Sequence, residues 1–148
     1  MLLHRSTPAA VEVLIGHMGG PFWARKDARG WSIPKGEAAP GEEDLLAVAR
    51  REFAEELGSA VPATEFLDLG ELRVTSGKVL RVWAAAGDLD ADATVSNTFT
   101  LEWPPRSGRL QEFPEIDRSA WFPVDAAREK LVAGQVPFLD RLLDRLSR

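Results

Sequence analysis

Glu52, Glu55 and Glu56 lie in the run Arg50-Arg51-Glu52-Phe53-Ala54-Glu55-Glu56-Leu57-Gly58. Spacings of three and four put their carboxylates on one face of a helix. Like charges so placed repel and cost helix stability, so the fold alone does not ask for them beside an apolar stripe. A hard divalent cation does, because Mg²⁺ takes oxygen ligands and commonly binds through one or two carboxylates plus substrate phosphates. The bland alternative is a solvated acidic face whose charge Arg50 and Arg51 offset, since surface helices are rich in Glu. What separates the two is the context of loop and helix.

The helix that must carry these acids runs from about Glu42 to Leu57, without Gly or Pro. Leu45, Ala49, Phe53 and Leu57 recur every four residues, giving a stripe that faces a core. Gly58 stands where a left-handed residue ends such a helix. Ahead of it come the loop Pro34-Lys35-Gly36 and a second turn at Pro40-Gly41. Lys35 is suited to meet a phosphate as a point charge, against the plain reading of a surface lysine.

The pattern Gly36…Glu43-x7-Arg51-Glu52-Phe53-x-Glu55-Glu56-x-Gly58 resembles the Nudix box, the signature of the Nudix hydrolases. It departs from G-x5-E-x7-R-E-U-x-E-E-x-G-U, where U is a bulky aliphatic residue, in two places. Six residues rather than five separate Gly36 from Glu43, an insertion that a loop absorbs more easily than a helix holding register. Ser59 stands at the final aliphatic position. Neither change touches the R-E-x-x-E-E core. Elsewhere F-W-A-R-K-D, W-S-I-P-K-G-E, E-W-P-P-R-S-G and P-F-L-D-R-L are similar to a bacterial branch described only as predicted nucleotide pyrophosphohydrolases.

The chain of 148 residues is expected to form one domain, 1–148, with a sizeable core. Its 45% hydrophobic and 28% charged residues are those of a water-soluble globular protein. A net charge of −5 argues against a nucleic-acid coat, which shows a basic surface. With no cysteine there is no disulfide framework, and a reducing cytoplasm is the expected compartment. The start lacks the apolar region of a signal peptide, and no run approaches the roughly 18 apolar residues of a membrane span.

In order, Leu2 to Arg5 and Val11 to His17 read as strands, with His4 and His17 at strand ends rather than in a site. Phe22 to Asp27 reads as a loop and Trp31 to Ile33 as a short strand. Phe66 to Val74 and Val79 to Ala85 read as a hairpin around Thr75-Ser76-Gly77-Lys78. Gly87 to Val95 is expected to be an exposed loop. Phe99, Leu101 and Trp103 share one side of a strand that Pro104-Pro105 stops. Arg106 to Glu115 reads as a charged loop, followed by a short strand at Ala120 to Phe122. Asp125 to Leu131 and Pro137 to Leu146 are predicted helices, the second turning Phe138, Leu142 and either Leu143 or Leu146 inward.

The residues alone give strands, an acidic helix, strands and terminal helices, an α+β order without regular βα alternation. The resemblance implies more: a Nudix-type α/β/α sandwich, with a mixed β-sheet between helices. It also implies hydrolysis of a phosphoanhydride in a nucleoside diphosphate linked to another group, with Mg²⁺ or Mn²⁺ as cofactor. Glu52 and Glu56 are then metal ligands, Glu55 a further ligand or the base, and Gly36 a carbonyl donor from the loop. Arg51 orients Glu55 from one turn away, and Glu43 supports the ligands from the helix start. Nudix enzymes often draw another carboxylate from a later region, for which Glu112 and Glu115 are the candidates, Glu112 the one expected to matter more to the reaction, with Asp117 third. Arg106 and Arg109 have the planar guanidinium that clamps phosphate oxygens. Of the five tryptophans only Trp23 falls in a loop near the box, and it is the one expected to touch substrate; the others read as core.

The expected partner is thus a small nucleotide, with neither nucleic acid nor membrane, and the oligomeric state, a homodimer included, is open. Dinucleoside polyphosphates, ADP-sugars and nucleoside triphosphates all satisfy the box. Two alternatives share the fold. A non-catalytic nucleotide-sensing or partner-binding module would have lost Glu52, Glu55 or Glu56, and all three are present. An isoprenoid-diphosphate isomerase commonly needs a cysteine, and the chain has none.

Overall fold

Short apolar runs explain the central strands. In Leu2-Leu3 and Val13-Leu14-Ile15 successive residues are apolar, the pattern of strands buried on both faces. The computed structural model, which describes residues 1–35, 44–73 and 77–148, bears this out. Strands β1 (Leu2–Ser6), β2 (Val11–Met18), β3 (Trp31–Ser32), β4 (Leu67–Arg73), β5 (Val79–Ala86) and β8 (Ile116–Pro123) form one sheet. Its order is β3-β2-β1-β5-β4, with β8 on β2. The β1–β5 pair is parallel and the others antiparallel, so the sheet is mixed.

Helix α1 (Leu45–Leu57) covers one face. Its Ala49, Phe53 and Leu57 pack on Leu3, Leu14 and Ala85. Helices α2 (Val124–Lys130) and α3 (Val136–Leu146) cover the other, where Phe138, Leu139 and Leu142 meet Leu2, Val13, Ile15 and Val82. Adjacent residues of β1 and β2 thus serve opposite cores, as the pleat requires. The result is the expected α+β sandwich. Among the described residues, no helix is long and apolar enough to cross a membrane.

Four expectations change. Arg106 to Glu115 is not all loop: β7 (Leu110–Pro114) pairs antiparallel with β6 (Thr98–Glu102) in a separate two-stranded sheet. Most of that ribbon is solvent-exposed on both faces, so no core imposed alternation on β7. β8 starts four residues earlier than the predicted strand, because it runs the length of β2. In α3 the third inward residue is Leu139; Leu143 is half-buried and Leu146 exposed. The 87–95 segment holds a 3-10 turn (Ala91–Ala93), and its Leu89 and Ala91 pack against the α1-side core rather than lying free.

Candidate active site

Helix α1 begins where Asp44 caps it, its side chain accepting the Ala47 N–H at 3.0 Å. It ends at Gly58, with φ 77°, whose N–H closes on the Ala54 carbonyl. A Cβ at Gly58 would also lie 2.4 Å from the Val95 carbonyl oxygen, so a following segment needs this glycine as well.

Between these caps the apolar stripe fixes the rotation of the helix, and with it the direction of the acids. Glu56 falls beside Leu57 on the buried side and is only 9% exposed. Glu52 is largely buried, and Glu55 is exposed. Arg51 brings its guanidinium to 3.7 Å from Glu52.

Glu56 is matched by the segment after β3. The Lys35 N–H donates to Glu56 Oε2 at 2.7 Å. That segment is itself pinned: buried Gln135 accepts the Ile33 N–H at 2.8 Å and donates to Ser32 Oγ at 3.0 Å. The Met1 ammonium donates to the Pro34 carbonyl at 2.7 Å. Burial pushes the Glu56 carboxyl up to about 8; the Lys35 N–H and charge and the Met1 ammonium act against this, while Glu115 adds to it. Burial also raises Glu52, with the charge of Glu55 next; Arg51 opposes, and Glu115 again contributes.

Glu115 is therefore the later carboxylate whose charge is felt at Glu52 and Glu56. Main-chain bonds bring it there. Val95 N–H donates to Leu57 O and Asn97 N–H to Glu55 O, while Glu115 N–H donates to Asn97 O at 2.9 Å. Gly19 N–H donates to Glu115 O, and a Cβ at Gly19 would lie 1.9 Å from the Pro114 carbonyl oxygen, so only glycine allows that approach. Glu112 sits mid-strand in β7 opposite Thr100, exposed, on the ribbon face away from the Phe99–Phe113 pair. Asp117 is engaged elsewhere, bonded to the buried His17 Nδ1 at 2.8 Å; His17 Nε2 meets the Lys26 carbonyl.

The remaining expected site residues are dispersed. Arg106 and Arg109 lie exposed in and beside the turn of the ribbon, six residues of extended chain from Glu115 in the case of Arg109, or roughly 20 Å. Trp23 is half-buried under Lys26, whose Nζ is 5.1 Å from its ring centre. Gly36 and Glu43 lie outside the described residues. Sequence reading missed the burial of Glu56 and the pinning role of Gln135. A Glu directly beside the stripe residue Leu57 was the available signal for the first; for Gln135 there was none.

The donors at α1 are carboxylate oxygens, the kind a hard cation takes. Burial raises Glu52 and Glu56 first, and the charges of Glu55 and Glu115 at Glu52 and of Glu115 at Glu56 add to it, a repulsion that a cation would relieve. Among the described residues, no three acidic, histidine or cysteine side chains converge closely enough to enclose an ion unaided.

The family model for the NUDIX domain matches residues 7–142. No curated protein sequence matches. Among solved structures, a C. elegans Ap4A hydrolase binary complex superposes with a TM-score of 0.66 at 19% identity, covering 99% of this chain and 95% of that one. The NUDIX domain of Shewanella oneidensis NrtR, complexed with ADP ribose, gives 0.63 at 17%, covering 98% and 84%. The MutT protein of Methanosarcina mazei Go1 gives 0.59 at 17%, covering 99% and 91%. At these identities the likeness is one of fold.

Proposed function

The chain belongs to the Nudix hydrolase family, and from that premise we propose that it hydrolyses a phosphoanhydride bond in a nucleoside diphosphate linked to another group. Nudix hydrolases generally use divalent metal ions. The observation that supports the reading is the main-chain relay through Asn97 that sets Glu115, from far along the chain, near the C-terminal turn of α1.

Glu52 and Glu56 would hold a divalent cation, Mg²⁺ or Mn²⁺, which would complete its shell with water and substrate phosphates, with Glu115 adding negative charge nearby. When bound, it neutralises charge on the phosphoryl oxygens and acidifies water. The Lys35 N–H fixes the Glu56 carboxylate, and Lys35 also supplies positive charge for a substrate phosphate. Arg51 offsets part of the negative charge at Glu52. Glu55, the exposed member, is open to water and takes its proton. The water oxygen bonds to phosphorus, the anhydride P–O bond breaks, and the leaving phosphate departs with the electron pair.

The test is a panel of dinucleoside polyphosphates, ADP-sugars and nucleoside triphosphates, assayed with Mg²⁺ and with Mn²⁺ and analysed for products. Cation-dependent cleavage at the anhydride, lost in Glu56→Gln, is expected. Cleavage of the same substrate at unchanged rate in Glu56→Gln would overturn the assignment.

A further inference from the structure

A cavity of about 390 Å³ opens beside Lys35, where the first turns of α1 meet the β4–β5 edge of the sheet. Ligand pockets generally run from about 300 to 1,000 Å³, so it is large enough for one ring system and its sugar. Leu45, Val48 and Ala49 give it an apolar side. Opposite them stand Trp83 and Arg81 of β5 and Glu71 of β4.

Register explains why these groups gather. Val79, Arg81 and Trp83 alternate with the buried Leu80, Val82 and Ala84, so they point to the α1 side. Glu71 is paired with Arg81 across the strands and projects to the same side. Helix α1 packs on β5 and β8, and among the described residues a space is left between its first turns and the β4–β5 edge. The polar pair is held in place: Arg81 donates to Glu71 Oε1 at 3.1 Å and is bonded to Asp68, and its guanidinium lies 5.5 Å from the Trp83 ring centre.

We propose that this cavity binds the nucleoside of the substrate, with the base against Trp83 and its polar edge read by Glu71 and Arg81. The inference rests on the hydrolase reading, and it says which end of the molecule lies where. An ionised carboxylate only accepts hydrogen bonds and a guanidinium only donates. Side by side they complement a base edge on which an N–H neighbours a ring nitrogen or carbonyl. An aromatic wall stacks on any base. Lys35 lines the mouth of the cavity and bonds Glu56 through its main chain, so a nucleoside here has its phosphates directed at the acids of α1.

The test pairs kinetics with direct binding. Trp83→Ala is expected to raise KM for the best nucleotide by about 5- to 100-fold, the range of a lost base stack, with kcat within about twofold; Trp83→Phe restores most of it. Glu71→Gln is expected to change the relative kcat/KM among substrates differing only in base. By calorimetry, a nucleoside monophosphate should bind the full chain more tightly than ribose 5-phosphate does, and Trp83→Ala should abolish the difference. If Trp83→Ala and Glu71→Gln both leave KM, base preference and monophosphate affinity unchanged while Glu56→Gln still abolishes turnover, the cavity assignment falls and the hydrolase reading stands. If no nucleotide is cleaved but monophosphate binding depends on Trp83, the cavity assignment stands and the hydrolase reading falls.

Discussion

The two faces of the sheet are built for different ends. On one, α2 and α3 set Phe138, Leu139 and Leu142, all fully buried, against the apolar sides of five strands. On the other, α1 supplies the main cover, with Val61, Phe66, Leu89 and Ala91 beside it, seals the middle with Phe53 and Leu57, and borders polar groups and a cavity. Glu56 is buried on this second face, where its charge is disfavoured, and Lys35 and Glu115 are arranged about it. The first interface centres on a buried apolar cluster that stabilises the sheet; the second places a cavity near the acids of α1. Stability and chemistry are thus divided between opposite sides of the same strands.

That division can be broken experimentally. The largest effect should be Glu56→Gln, with turnover falling about 100-fold or more and the fold intact by circular dichroism, the scale seen when a group acting directly in catalysis is removed. Leu142→Ala should do the opposite, lowering unfolding free energy by about 2–5 kcal/mol in urea titration with little change in kcat per folded molecule. Leu45→Ala, half-buried beside the cavity, should cost about 1 kcal/mol or less. Equal losses from the two leucine variants would contradict the contrast between the faces.

Glu112 in the β6–β7 ribbon and Glu115 just after it differ in the same way on a finer scale. Glu115→Gln should slow the reaction about tenfold or more, as loss of a partner at a metal site does, whereas Glu112→Gln should leave it within about twofold. The reverse order in steady-state assays would return the role to Glu112.

The smallest expected effect is a pH dependence. His4 is buried on β1, and burial lowers its pKa from the ordinary 6.5. On acidification the unfolded chain takes up a proton at about 6.5 while the folded chain resists, so stability falls as pH drops below that value and is unaffected above it. In His4→Gln the decline between pH 7 and 5 should be shallower; an unchanged slope in thermal melts would assign it to other groups.

Much of this was legible in the sequence because several signals agreed. The four-residue stripe, the acids at i+3 and i+4 and the terminal Gly58 all specify α1, and the R-E-x-x-E-E core identifies the family. What escaped was long-range. Glu112 and Glu115 look equivalent as sequence, and only the pairing of Phe99 with Phe113 and the turn after Pro114 separates them. Gln135 lies about 100 positions from the β3 segment it pins, with nothing local to mark it. The cavity arises where α1 meets the β4–β5 edge, a juxtaposition that no motif encodes.

The Val95–Asn97–Glu115 relay beside Gly58 has an evolutionary corollary. Its links join amide to carbonyl, so the identities of Val95 and Asn97 are nearly immaterial to where Glu115 ends up, and Val95 is 73% exposed. Homologues are free to drift at those two positions while the acid stays in reach of α1, which would make this carboxylate easier to find by threading than by aligning letters.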